Sequence, residues 1–215
     1  MNLILPVDYV NLSSLKRINP RVYFLAGPIM GGDDWQAKAC KMLGEKDPGC
    51  VIINPCRYGV DHELYPYALQ TTDNLKSEEI FPNQTKWERY YMLQAASKGC
   101  LIFWLPEESK TDPRPPEKGP YARDTYGEIG EWRYRLSQKR EAERPWVPEH
   151  EVKVVFGAEP NFPGLSIINK NLQYCHGIEP NSEREQVPIY TTLEETVEMA
   201  VMMAKGGHRF AGAQI

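Results

Sequence analysis

The sequence is poor in the features that several large classes of protein require. No apolar run approaches the length that crosses a membrane, so no membrane partner is expected. Basic residues form no block: 25 Lys and Arg stand against 29 Asp and Glu, for a formal charge of -4, which gives no electrostatic footprint for a nucleic-acid polymer. Cysteine is sparse and unpaired in pattern. There are five, an odd number with no C-x-x-C spacing, and Cys50 and Cys100 open apolar runs as small buried hydrophobes do, so reduced thiols are expected. The four histidines make neither HExxH nor a zinc spacing, and the glycines fit neither GxGxxG nor the Walker A pattern. Neither a metal nor a cofactor is therefore expected. The first residues carry no early basic region before their short apolar run, which argues against a signal peptide and for a cytoplasmic protein.

What remains is ordinary globular material, 41% hydrophobic over 215 residues, enough for one domain with a full core. Residues 1–20 are an arm without a readable pattern, and 206–215 form a tail; between them, 21–205 read as a single α/β domain. Val22 to Ala26 is a short apolar strand that stops at Gly27-Pro28. Asp33-Asp34 then cap a helix whose Trp35, Ala39 and Met42 share a face, and Gly44 is expected to end it. A second strand, Cys50 to Ile53, ends on Asn54-Pro55. From Asn83, Trp87, Tyr91 and Ala95 recur at helical spacing until Gly99, and Cys100 to Leu105 reads as the central strand, closed by Pro106. Val152 to Gly157 and Ile189-Tyr190 supply further strands, and Thr192-x-x-Glu195 caps a closing helix with Leu193, Val197, Ala200, Val201 and Ala204 on its apolar face.

Three insertions, 57–82, 106–120 and 158–187, read as irregular, and the first suggests either a cover over a site or an oligomer contact. Strands alternating with helices predict a three-layer flavodoxin-like (Rossmann-like) fold with a five-stranded, mostly parallel sheet. Ligands of such sheets bind outside the carboxyl ends of the strands, where strand order reverses.

The stretch Gly119 to Trp132, GPYARDTYGEIGEW, starts a helix at that edge. With Thr125 as the predicted N-cap, Glu128 falls in the first turn, where backbone N–H groups and the helix dipole favour an ionised carboxylate. Ile129, Trp132 and Leu136 project onto one apolar stripe, with Glu128 on its flank and Glu131 turned further towards water. Two readings of Glu128 stand side by side. It is the reactive carboxylate of a site, or the second half of a capping box opened by Thr125.

Taken in order, VYFLAGPI (Val22 to Ile29), Trp87-Glu88, FWLP (Phe103 to Pro106), YARDTYGEIGEW (Tyr121 to Trp132) and GAEPNFPG (Gly157 to Gly164) resemble the nucleoside 2-deoxyribosyltransferase-like proteins and the related nucleotide N-hydrolases. The resemblance implies that Glu128 is a nucleophile which attacks the anomeric carbon and forms a covalent glycosyl-enzyme, in the manner of retaining glycosidases. It implies a nucleoside or nucleotide and a free nucleobase as partners, and a homo-oligomer, a dimer or larger. The leaving base needs a proton, for which Asp124 and Glu88 are the candidates; Asp124 is also explained as a solvated neighbour of the N-cap. Tyr23, Gly27 and Pro28 match the part of the first strand that lines the family's sugar and base pocket, although Tyr23 also suits a core position. Arg123 offers a forked donor to a carbonyl, hydroxyl or phosphate, beside Thr125 on the same loop. The implied reaction is transfer of the sugar to another base. Hydrolysis of a nucleoside or nucleoside 5'-monophosphate and a non-catalytic nucleotide sensor are the alternatives.

Overall fold

The computed structural model describes residues 1–6, 8–12, 15, 20–69, 80–141, 152–173 and 187–206. They form an α/β fold on one sheet of six parallel strands: β1 (Asn2–Ile4), β2 (Val22–Ala26), β3 (Val51–Ile53), β4 (Gly99–Leu105), β5 (Val154–Ala158) and β6 (Ile189–Tyr190), in the spatial order β1-β3-β2-β4-β5-β6. From β2 onwards the order is the flavodoxin-like one. The sixth strand is a correction to the expected arm: Leu3 lies opposite Ile52 at the outer edge of the sheet. Its three residues are too few for an alternation to be read.

Alternation along the strands sorts the core into two layers. Phe24, Leu101, Phe103 and Phe156 face α2 (Gln84–Lys98), α3 (Arg123–Glu141) and α4 (Leu165–Gln173), packing against Trp87, Tyr91, Ile129, Trp132 and Leu172. Tyr23, Leu25, Ile102 and Trp104 face α1 (Trp35–Lys46) and α5 (Leu193–Ala204), against Leu43, Val197 and Ala200. No helix among the described residues is long and apolar enough to cross a membrane. Cys40, Cys50, Cys56 and Cys100 are buried free thiols; Cys175 lies outside the described residues.

The caps of α1 and α5 sit where the sequence puts them, and Asn83 caps α2. Ala37 N–H donates to Asp34 at 3.1 Å, Lys86 N–H to Asn83 at 3.0 Å, and Glu195 N–H to Thr192 at 3.2 Å. Helix α1 runs through Gly44 to Lys46 and ends when Asp47 N–H returns to Leu43 O, so Gly44 is not its terminator. Part of the insertion 158–187 is not irregular: Leu165 to Gln173 is helical, with Ile168 and Leu172 buried.

Helix α3 opens at Arg123, three residues earlier than a Thr125 cap would start it. It follows Ala122, which is held in the left-handed region at φ 57° and nearly solvent-free, a conformation that costs a non-glycine residue about 1–2 kcal/mol. Thr125 is consequently buried inside the first turn instead of capping it, and Glu128 stands in the second. The Thr125–Glu128 capping box is not formed.

Candidate active site

Connections run from β2 outward to β3 and then back across to β4, so the strand order reverses between β2 and β4. The carboxyl ends of these two strands bring Gly27-Pro28 and Pro106 to one edge, and α2 and α3 both begin there. Tyr121 fastens the start of α3 to this point, its hydroxyl donating to Pro106 O at 2.9 Å.

On α2, Trp87 and Tyr91 anchor the helix to the sheet and leave Gln84 and Glu88, four residues apart, on a flank facing the neighbouring elements. The Gln84 amide is saturated. Its oxygen accepts from Arg57 Nε (3.1 Å) and Nη2 (2.9 Å), and its nitrogen donates to Pro55 O (3.2 Å) and Glu88 Oε1 (2.9 Å). On α3, the buried stripe of Ile129, Trp132 and Leu136 forms as expected and turns the Glu128 and Glu131 flank towards α2. Arg89 Nε of α2 meets Glu131 Oε2 at 3.4 Å, and Arg135 donates to Glu131 Oε1 at 3.0 Å. Glu131 is thus engaged by two arginines. Glu128, one turn earlier, is partly buried and has no hydrogen-bond or ion-pair partner among the described residues.

This difference sets the electrostatics. Burial, and then the negative charges of Glu88, Asp124 and Glu131, push the Glu128 carboxyl up to about 8, against the weaker opposing pull of Arg89. That corrects the expected ionised carboxylate at a helix N-terminus: the tertiary neighbours outweigh the dipole. Glu88 is also raised, by burial first; the Gln84 hydrogen bond and the Arg57 charge oppose the rise, and the Asp124 charge adds to it. Glu128, the more strongly raised of the two, therefore holds the proton of the empty site at neutral pH.

The remaining predicted residues divide clearly. Asp124 is at the edge but 72% exposed, with Arg123 Nε at 3.4 Å and Arg114 Nη2 at 3.7 Å. Arg123 is itself exposed and points along the surface to Asp124 and Gly119. Tyr23 does not belong to the site. It is the second residue of β2, fully buried on the α1 and α5 side, with its hydroxyl donating to Asp47 Oδ2 at 2.8 Å near the opposite end of the sheet. Thr125 is buried, and Pro28 O is taken by Trp35 Nε1 (3.0 Å) and Gln36 Nε2 (3.1 Å).

Gly27 is required by a close approach. It has φ 150°, and a Cβ there would stand 2.2 Å from Trp104 O and 2.9 Å from the Trp35 ring. Gly27→Ala is therefore expected to destabilise the protein by about 3 kcal/mol, the sum of overpacking and an unfavourable φ, as a lower urea midpoint with an unchanged slope.

Gln84, Arg57 and Arg89 were not picked out from sequence. Gln84 carried a usable signal, its spacing of four from Glu88 on one helix; Arg57 sits in an insertion whose path only the fold reveals. A groove of about 610 Å³ opens at the same edge on the other side of β4, lined by Asp33, Trp35, Lys38, Trp104, Lys110 and Thr192 among others. It does not include Glu88 or Glu128. Three of its acids are committed to backbone N–H groups: Glu107 to Asn161, Glu108 to Arg114, and Glu159 to Glu107. Volume favours the groove and chemistry the glutamates; the site is placed at the glutamates because there a partly buried carboxyl without a partner, Glu128, lies within electrostatic reach of a second, Glu88. No protein-family model matches the chain, and no curated protein matches it.

Proposed function

We propose that the chain is a nucleoside 2-deoxyribosyltransferase-like enzyme that cleaves the N-glycosidic bond of a nucleoside and passes the sugar to another nucleobase. The observation that carries this reading is the pair Glu88 and Glu128, on adjacent helices at the reversal of strand order, where the Glu88 charge adds to the burial that raises Glu128. In the empty site the proton sits on Glu128; once it has passed to Glu88, the pair offers one carboxylate and one carboxylic acid, the two groups the reaction needs. Glu128 donates an electron pair to the anomeric carbon as the carbon–nitrogen bond breaks. That bond's electrons leave with the base, and the Glu88 proton goes to the base nitrogen. Positive charge on the sugar in the transition state relieves the excess negative charge of the empty site. In the second half, an incoming base returns a proton to Glu88 and displaces Glu128, restoring the original configuration.

This assignment moves the proton donor from Asp124 to Glu88. Asp124 is tied to arginines at the surface and acts through its charge, whereas Glu88 is partly buried beside Glu128. Hydrolysis differs only in using water as the second acceptor. Deoxynucleosides incubated with and without a second free base, with products separated chromatographically, distinguish the cases. Transfer yields a new nucleoside only when the second base is present; free sugar in equal amount either way identifies a hydrolase. Retained nucleoside binding with no turnover by the intact protein would sink the enzymatic reading and leave a binding module.

A further inference from the structure

We propose that Gln84, locked in one orientation by Arg57, is a positioning residue that keeps the proton of neutral Glu88 on Oε2. The inference rests on the reading of Glu88 as the proton donor. An amide has two donor hydrogens and two acceptor lone pairs, and all four are used at Gln84: Nε2 on Pro55 O and Glu88 Oε1, Oε1 on the two nitrogens of the Arg57 fork. A flipped amide would set N–H groups against a guanidinium that has only N–H groups to offer, and would set oxygen against the Pro55 carbonyl and Glu88. Arg57 and Pro55 O together therefore fix which way Gln84 points.

With Nε2–H always directed at Glu88 Oε1, that oxygen is held as an acceptor. A proton on Oε1 would face a donor, so neutral Glu88 carries it on Oε2. During cleavage Oε2–H breaks, the proton moves to the base nitrogen, and the electron pair stays on Glu88, whose new charge Gln84 already solvates. The same N–H makes reprotonation reversible. It opposes the burial and the Asp124 charge of α3 that would otherwise lock the proton in place, alongside the Arg57 charge from the loop after β3.

Two variants test this. Gln84→Met keeps the length and removes every donor and acceptor; Arg57→Ala changes an exposed loop residue and frees the amide to flip. With ¹³C-labelled glutamate, the NMR titration midpoint of Glu88 is expected to rise in Gln84→Met and, less, in Arg57→Ala. On a nucleoside whose base must be protonated to leave, kcat is expected to fall about tenfold or more. On a 4-nitrophenyl 2-deoxyriboside, whose leaving group needs no proton, the fall is expected to stay within about twofold. A merely structural role for Gln84 predicts equal losses on both substrates. An unmoved Glu88 midpoint in Gln84→Met, or equal losses on both substrates, overturns the inference. If the wild type cleaves neither substrate, the functional reading fails by itself, and the Glu88 midpoint still decides the inference.

Discussion

Glu128→Gln is expected to abolish glycosidic cleavage and to stabilise the fold. The first effect follows from removing the carboxylate that bonds to the anomeric carbon. Loss of a principal catalytic group of this kind lowers turnover by about 10³-fold or more. The second follows from linkage. The folded-state value of Glu128 is raised to about 8, so between roughly pH 4.3 and 8 the folded protein binds more protons than the unfolded chain, and stability falls as pH rises through that window. Glutamine has no proton to lose and escapes this penalty. The variant should therefore match the wild type near pH 4 and exceed it at pH 8.5 by at least about 1 kcal/mol, after discounting for solvent screening of a partly exposed group. Urea melts at the two pH values, with turnover measured on the same samples, check both halves. A pH-independent loss of stability with turnover preserved would leave Glu128 with a packing role only. Glu131→Gln is the companion control and should keep most activity, since its carboxylate is committed to Arg89 and Arg135.

Asp47→Ala is expected to cost about 3 kcal/mol of stability and to leave the activity per folded molecule unchanged. Asp47 is 1% exposed, bonded by both Arg21 nitrogens that reach it and by the Tyr23 hydroxyl. Removing it strands a buried tyrosine hydroxyl and breaks a largely buried ion pair; Arg21, 39% exposed, recovers part of its loss in water and holds the cost at the low end of such deletions. Burial by itself would raise the Asp47 carboxyl. The hydrogen bonds from Arg21 and Tyr23 and the charges of Arg21 and Lys205 outweigh it and hold the group below the usual aspartate range. For a depressed acid the stabilisation is complete above the unfolded value, roughly 3.9, and fades as pH falls through the folded one. The gap between wild type and Asp47→Ala should accordingly be constant at neutral pH and close in acid below about pH 4. A large loss of activity in the folded variant would contradict the placement of Tyr23 and Asp47 at the far end of the sheet from the glutamates.

The fold was legible wherever burial leaves a dense pattern. β2 and β4 are unbroken apolar runs, and the caps Asp34, Asn83 and Thr192 precede helices with clear stripes, so the parallel order could be read from the chain. The site was legible by residue type and less so by state. Glu128 was found, yet its helix was started at Thr125 because a Thr-x-x-Glu spacing imitates a capping box, while the true start depends on a left-handed alanine that no residue pattern announces. Its raised value comes first from burial and then from Glu88, forty residues away, neither of which is a local property. Tyr23 failed for a related reason: alternation says that a strand residue faces one layer or the other, but not that an aspartate at the end of α1 waits there for its hydroxyl.

The short first strand bears on solubility and on where the chain tolerates modification. β3 is Val-Ile-Ile, buried throughout, and without β1 it would present an apolar, unpaired edge able to recruit a strand from another molecule. β1 shields that edge, and its own outer side is closed in turn by the returning insertion, where Leu69 N–H donates to Leu3 O at 2.7 Å beside a bridge from Leu3 to Ala68. Trimming residues 1–5 would therefore be a poor way to tidy the protein for crystallisation. It would remove the seal from both sides at once and favour self-association.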